Sequence, residues 1–398
     1  MVKRFGLPLA AVLLLAACTL RIGWPARMEA APAPTEVPLT GSPVLPVTRS
    51  DMAPPPEPIL LPPGFTLGVF AEGLDSPRML EFGPDGHLYV AERGAGRVVR
   101  LPDRDGDSRA DAVEAVADGL EAPSSLVFSP DGALYVAETT RVWRFSPQDA
   151  QGNFRNGEIL IDDLPSGGHS TRTLLFSPDG SSLFVSVGSS CNVCVEEDER
   201  RAAILRFAPD GSGGEIYARG LRNAVGITFR PGLDELWATD NGRDLMGDDL
   251  PPESVYRVQA GGDYGWPRCH AGRIADPEFG SAGVCQDVPA PVVEIQAHSA
   301  PLGLVFYSGS QFPSDYQGDL FIALHGSWNR SVPVGYKVVR VPVDGDTTGQ
   351  VEDFAVGWLE ESGSAWGRPV DLVVGPDGSL YVSDDESGRI YQILYEGI

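Results

Sequence analysis

Six short segments of this chain stand in matching context and carry most of its candidate chemistry. They are Ser76-Pro77-Arg78, Ala122-Pro123-Ser124, His169-Ser170-Thr171-Arg172, Leu221-Arg222-Asn223, His298-Ser299-Ala300-Pro301 and Gly367-Arg368-Pro369. Together they hold four arginines, two histidines and no acid, in a chain with 55 acidic and 30 basic residues. Guanidinium groups grip carboxylates and phosphates through paired N–H donors. If the fold brings the six segments together, they make a pocket for a small anion; the alternative is that each arginine pairs with a neighbouring acid. A second cluster is acidic. Asp103, Asp105, Asp107 and Asp111 fall at positions 1, 3, 5 and 9 of a calcium loop, and Glu114 at position 12. Ser108 stands where such loops carry Gly, so a solvated turn competes with a structural calcium site. Cys191 and Cys194 form a C-x-x-C, and Cys269 and Cys285 bracket a loop of small and polar residues. Two local disulfides are expected, although sequence alone leaves three pairings open. A redox pair or half a zinc site fits less well, because neither a βαβ pattern nor a second cysteine cluster accompanies the motif.

What must position the six segments is a repeat. LEFGPDGHLYVAE from Leu80, LVFSPDGALYVAE from Leu126, LLFSPDGSSLFVSVG from Leu174 and LVVGPDGSLYVSD from Leu372 are copies of one strand–turn–strand phrase. ITFRPGLDELWATD from Ile227 is a weaker copy, as is LVFYSG from Leu304, resumed as GDLFIALHG from Gly318. In each turn Pro presets φ and Gly permits a positive φ. A third strand follows in GRVVRL from Gly96, TRVWRF from Thr140 and GRIYQI from Gly388. Asp85, Asp131 and Asp179 lie 46 and 48 residues apart, room for four strands per copy. Six such units around a channel make an all-β fold, a six-bladed β-propeller; a solenoid is the alternative. GFTLGVFAEGL from Gly64 is a lone strand before the first copy. It is expected to complete the last blade and close the ring, which removes exposed edges. Each of the six segments then precedes an innermost strand, at one mouth of the channel.

The propeller is expected over residues 62–398. Lys3 and Arg4 precede an apolar run from Phe5 to Ala17, so residues 1–17 read as a signal peptide. The run ends Leu15-Ala16-Ala17-Cys18, which resembles a bacterial lipoprotein box and implies diacylation of Cys18. An ordinary signal peptide with a chance Cys is the alternative. Residues 18–61 are rich in Pro and Ala and read as an extended tether. The expected location is the cell envelope on its exported side, with the membrane touched through the lipid alone. A net charge of −25 argues against nucleic acid as a partner.

The stretches SGGHSTRTLLFSPDG, GLRNAVGITF, DNGRDLMGDDLPPESVYRV, GGDYGWP, LHGSWNRSVPVGYKVVR and GRPVDLVVGPDG, taken together, carry a family resemblance. From about Pro62 onward the chain resembles the soluble quinoprotein glucose/sorbosone dehydrogenases, in the sorbosone and pyranose dehydrogenase-like branch. That family binds pyrroloquinoline quinone and calcium on a six-bladed propeller and passes electrons to an external acceptor. The resemblance implies that His169 is the general base toward a sugar or aldehyde substrate. It implies that Arg222 and Asn223 bind the quinone oxygens and that Arg222 polarises the carbonyl receiving hydride. It also implies that the Gly242 and Arg243 carbonyls hold the calcium, and that Lys337 and Arg368 grip cofactor carboxylates. Trp328 is a candidate stacking surface for sugar or quinone.

Two positions depart from the family pattern. Ser189 stands where glucose-oxidising members have an Asp that orients the base, and Val370 stands where a second Arg is usual. His298 and His325 are candidates for the substrate pocket or the core; His87 and His270 read as structural. Two rival functions follow: a ligand- or protein-binding propeller without catalysis, and a calcium-dependent lactonase-type hydrolase. The second needs acidic ligands at the mouth, and the six segments contain none.

Overall fold

The computed structural model describes residues 52–149 and 152–397. Among them are six antiparallel four-stranded blades and no α-helix. The innermost strands are Pro77–Phe82, Ser125–Phe128, Leu174–Phe176, Ile227–Phe229, Pro301–Phe306 and Pro369–Val374. The N-terminal strand Phe65–Glu72 pairs antiparallel with the last strand, Arg389–Tyr395, so the ring closes as the repeat requires. Blade 3 gains a short parallel fifth strand, Gly262–Asp263, from the segment that joins the third and fourth strands of blade 4.

Each second strand is buried along its whole length, as in Leu88–Glu92 and Leu320–Leu324. That follows from its place between innermost and third strands, with a neighbouring blade on either face. The apolar residues gather between adjacent blades. Val136 and Tyr89 pack between blades 1 and 2, and Trp237 and Phe306 between blades 4 and 5. Burying each such side chain contributes about 1.5–3 kcal/mol, and here it fixes how one blade sits on the next. A separate cluster joins Met79, Leu302 and Val370 on three innermost strands to Val225, just before a fourth. Val370 is fully buried in it, so the position where the family has a second Arg is part of an apolar plug.

The stretch expected to end the tether is partly docked. Val69 N donates to Ala53 O at 2.8 Å, and Leu60 exchanges both backbone bonds with Val356 at 2.7 and 3.0 Å. Ile59 and Leu61 pack on the core between blades 5 and 6. Apolar residues among the prolines give this stretch something to bury, so the propeller's boundary falls before residue 62. The expected signal peptide, Cys18 and the tether up to residue 51 lie outside the described residues. No helix among the described residues is long and apolar enough to cross a membrane.

Candidate active site

His169 follows two glycines in left-handed conformation, Gly167 and Gly168. A Cβ on Gly168 would stand 2.4 Å from Ser190 Cα, so this turn can press on the neighbouring loop only as glycine. His169 N donates to Ser189 O at 2.9 Å. The imidazole Nδ1 lies 3.0 Å from Ser189 Oγ and 3.1 Å from Ser189 O. Ser189 Oγ donates its own proton to Cys191 O at 2.6 Å. Both oxygens near Nδ1 are therefore acceptors, Nδ1 carries the proton, and Nε2 keeps its lone pair. Burial, and then the charge of Arg222 with Arg201 and Arg172 beyond it, push the His169 pKa down to about 4. The ring is neutral at pH 7. Gly188 allows the final approach: a Cβ there would stand 2.5 Å from Asn223 Oδ1 and 2.6 Å from His169 Cβ.

Arg222 is buried and commits four of its five N–H groups. Nε donates to Asn192 O at 2.9 Å and Nη1 to Asn241 O at 3.1 Å. Nη2 donates to Asn192 Oδ1 at 2.9 Å and to Asp244 Oδ2 at 2.8 Å. One N–H remains for a ligand, so Arg222 offers less than the fork expected of a free guanidinium. The backbone N–H of Asn223 donates to Asp240 Oδ1 at 2.8 Å, while its side-chain amide makes no hydrogen bond among the described residues. Asp244 Oδ1 accepts from Asn329 Nδ2 at 3.1 Å, and that amide also lies 3.3 Å from His298 Nδ1. His298 Nε2 donates to Gly247 O at 2.8 Å. Both His298 nitrogens are engaged, which makes it a strut and not a base.

The opposite side of the mouth is a second network. Arg78 Nη1 pairs with Asp385 Oδ2 at 2.5 Å, and Asp385 Oδ1 lies 2.8 Å from His325 Nε2. Arg368 donates to His325 O at 3.1 Å and Gly326 O at 3.3 Å, and lies over the Tyr336 ring at 5.2 Å. Arg93 Nη2 donates to Ser170 Oγ at 3.0 Å. The expected acid-free ring of arginines needs correction. Arg172 turns inward and braces the carbonyls of His169, Thr171 and Pro165. Asp244 and Asp385 do reach the mouth, each neutralised by an arginine. The reason is topological: each second strand ends at the mouth where an innermost strand begins. Arg93, Ser189, Asn241, His325 and Asp385 all follow second strands, and the same repeat alignment would have found them. Asp244 and Asp385 are each paired with an arginine, so neither is a free carboxylate of the kind the hydrolase reading needs.

Lys337 begins the third strand of blade 5, opposite Leu324. Its ammonium pairs with Asp353 on the outermost strand of blade 5. Trp328 is 70% exposed on the loop that also carries Asn329. Arg243 directs its side chain to Asp276 and Glu278, and Asp276 also meets His270 Nε2 at 2.8 Å. Among the described residues no hydrogen bond ends on the Gly242 or Arg243 carbonyl oxygen. Cys191 pairs with Cys194 and Cys269 with Cys285, the local pairing expected. Carboxylate oxygens of Asp103, Asp105 and Asp107 lie within 4.8 Å of one another. Asp111 instead accepts from Arg104 N at 2.8 Å. This loop joins the third and fourth strands of blade 1, at the end away from the mouth.

A family model described as TrAA12-like matches residues 59–278 and 274–396. A Borreliella burgdorferi protein is 36% identical over 234 residues, 58% of this chain and 62% of its own length. A pyrroloquinoline quinone-dependent pyranose dehydrogenase of Coprinopsis cinerea is 28% identical over 402 residues, 83% of this chain and 54% of its own. The chain thus spans about half to three-fifths of these relatives. An aldose sugar dehydrogenase of Escherichia coli is 26% identical over 261 residues, 61% of this chain and 64% of its own. The solved quinone-bound domain of the Coprinopsis enzyme superposes with a TM-score of 0.73 at 24% identity, over 85% of this chain and 98% of that domain. That likeness bears on the propeller fold.

Proposed function

The chain belongs to the TrAA12-like family, and we propose that its propeller oxidises a sugar or aldehyde with pyrroloquinoline quinone and calcium as cofactors. One observation carries the reading. His169 is neutral, its tautomer is set by Ser189, and its free Nε2 sits among cationic groups. The residues at hand suit a quinone bearing carboxylates: the unpartnered Asn223 amide, the remaining N–H of Arg222, and the guanidinium of Arg368. The Gly242 and Arg243 carbonyls suit the calcium. When bound, the quinone supplies the acceptor for hydride.

The chain's own work is then proton transfer and orientation. A substrate hydroxyl that donates to His169 Nε2 gives up its proton as hydride leaves the adjacent carbon. With a pKa near 4 the imidazole is a weak base in the resting site. It takes the proton only in concert with that departure, and the imidazolium then loses it readily to water. Ser189 keeps the ring in register throughout, the task that falls to an Asp in glucose-oxidising relatives. An external acceptor collects the electrons. The exported, lipid-anchored placement rests on Cys18 and the run before it, and Cys18→Ser should move the protein from the membrane fraction to the soluble one.

The direct test mixes purified protein with quinone and Ca²⁺, follows cofactor absorbance, and assays a panel of aldoses and aldehydes. Uptake with turnover supports the reading. Uptake of neither cofactor, or uptake with no substrate oxidised, replaces it with a binding propeller.

A further inference from the structure

The base and the arginine are held by one short loop that carries neither of them. Residues 189–196 follow the second strand of blade 3 and are closed on themselves by the Cys191–Cys194 disulfide. Ser190 anchors the far side, with its N and Oγ bonded to Glu196 at 2.7 and 2.6 Å. From this loop the Cys191 carbonyl takes the Ser189 hydroxyl proton at 2.6 Å, the bond that leaves Ser189 Oγ to accept from His169. The next residue, Asn192, takes two N–H groups of Arg222 at 2.9 Å each. Its Oδ1 also accepts from Asp244 N at 2.8 Å, and its Nδ2 donates to Asp244 O at 3.0 Å. Asp244 is the carboxylate that neutralises Arg222.

We infer that Asn192 is a positioning residue for Arg222, and that the Cys191–Cys194 bond is required because it fixes two adjacent carbonyls: one holds the Ser189 hydroxyl as an acceptor that reinforces the Ser189 carbonyl in fixing the tautomer of His169, the other orients Arg222. This rests on the roles proposed above for those two side chains. A loop of eight residues without regular structure does not hold two acceptors in register unaided. The disulfide spans only three positions, so it restricts the local backbone and closes no long loop. An active-site group misplaced by about 1 Å loses roughly 10²-fold in rate.

Two measurements test the inference. In cofactor-free protein, nitrogen NMR of His169 should show the Nδ1–H tautomer in wild type and a mixture with Nε2–H in the Cys191→Ala/Cys194→Ala variant. If that variant does not fold, native protein is compared before and after phosphine reduction, with peptide mapping to show which disulfide opened. An unchanged tautomer with the bond broken overturns the claim for His169. In the loaded enzyme, Asn192→Ala should lower kcat/KM at least tenfold. Asn192→Asp, which keeps an oxygen where Oδ1 stands but sets a second oxygen against the Asp244 carbonyl, should recover part of that loss. An unimpaired Asn192→Ala, or an Asn192→Asp as poor as Asn192→Ala, overturns the claim for Arg222. The tautomer is read without cofactor, so a wild type that takes up no quinone would sink the proposed function and leave that measurement standing.

Discussion

At one end of the propeller the Pro-Asp-Gly turns close on themselves; at the other, residues from different blades close on one another. In the turns of blades 1, 2, 3 and 6, Gly86, Gly132, Gly180 and Gly378 each donate to the carbonyl three residues back, at 2.8–2.9 Å. The turn aspartates cap nearby groups, as Asp179 does for Ser177 and Ser181. At the mouth the partners are far apart in sequence. Arg78 meets Asp385, Asn192 meets Asp244, and Asn329 meets Asp244, with separations of 307, 52 and 85 residues. The local end can be repeated because each turn satisfies itself. The mouth cannot, since each loop there depends on the particular loops beside it.

Substitutions at the two ends should separate accordingly. The largest effect is expected from His169→Ala. Cofactor uptake should stay near wild type while kcat falls by roughly 10²–10⁴-fold, the range of general-base catalysis; parallel loss of uptake would make His169 a binding residue. Gly188→Ala comes next. Its Cβ would meet Asn223 Oδ1 and His169 Cβ at 2.5 and 2.6 Å, so both must shift. A loss of roughly 10²-fold is expected with the fold intact by circular dichroism, and full activity would show the mouth to be looser than drawn.

Ser189→Asp sharpens the comparison through pH. The native His169 pKa is near 4, below its ordinary 6.5. The ring is thus deprotonated and ready across the neutral range, and kcat/KM should fall only as pH drops toward 4. A carboxylate at 189 favours the imidazolium, raises that pKa and moves the acid limb upward. Activity at pH 5 should fall relative to pH 8; an unmoved limb would show that another group controls it. The smallest effect belongs to the turn end. Asp377→Ala removes bonds to Ser379 and to Gln392 Nε2 within blade 6. It should cost about 1 kcal/mol in denaturant unfolding and leave kcat unchanged. A loss of activity there would couple the two ends.

Much of this architecture was legible because it is periodic. Six copies of an apolar–turn–apolar phrase, with a lone strand at the start, imply a closed six-bladed ring, and local cysteine spacing implied both disulfides. His169, Arg222 and Asn223 could be placed at one mouth by alignment alone. The residues after the second strands share that mouth and obey the same period. Arg93 and Asp385 obey it as well, each one residue past a second strand. The pairing of Lys337 with Asp353 depends on which way a strand's first side chain turns, which no motif states. Val370 looked like a lost cation, and its burial in the central plug shows a position where an unpaired charge would be costly.

The sequence by itself determined the local chemistry: turns that close within a few residues, strands with an apolar run, glycines that admit left-handed backbone, and the cysteine pairs. Those are properties of neighbours, and a linear chain carries them directly. Tertiary structure alone decided which nitrogen of His169 holds the proton, how many donors Arg222 has left, and that His298 is a strut. Each of these depends on a hydrogen bond between loops of different blades or between loops many residues apart, and such a bond exists only once the ring has closed.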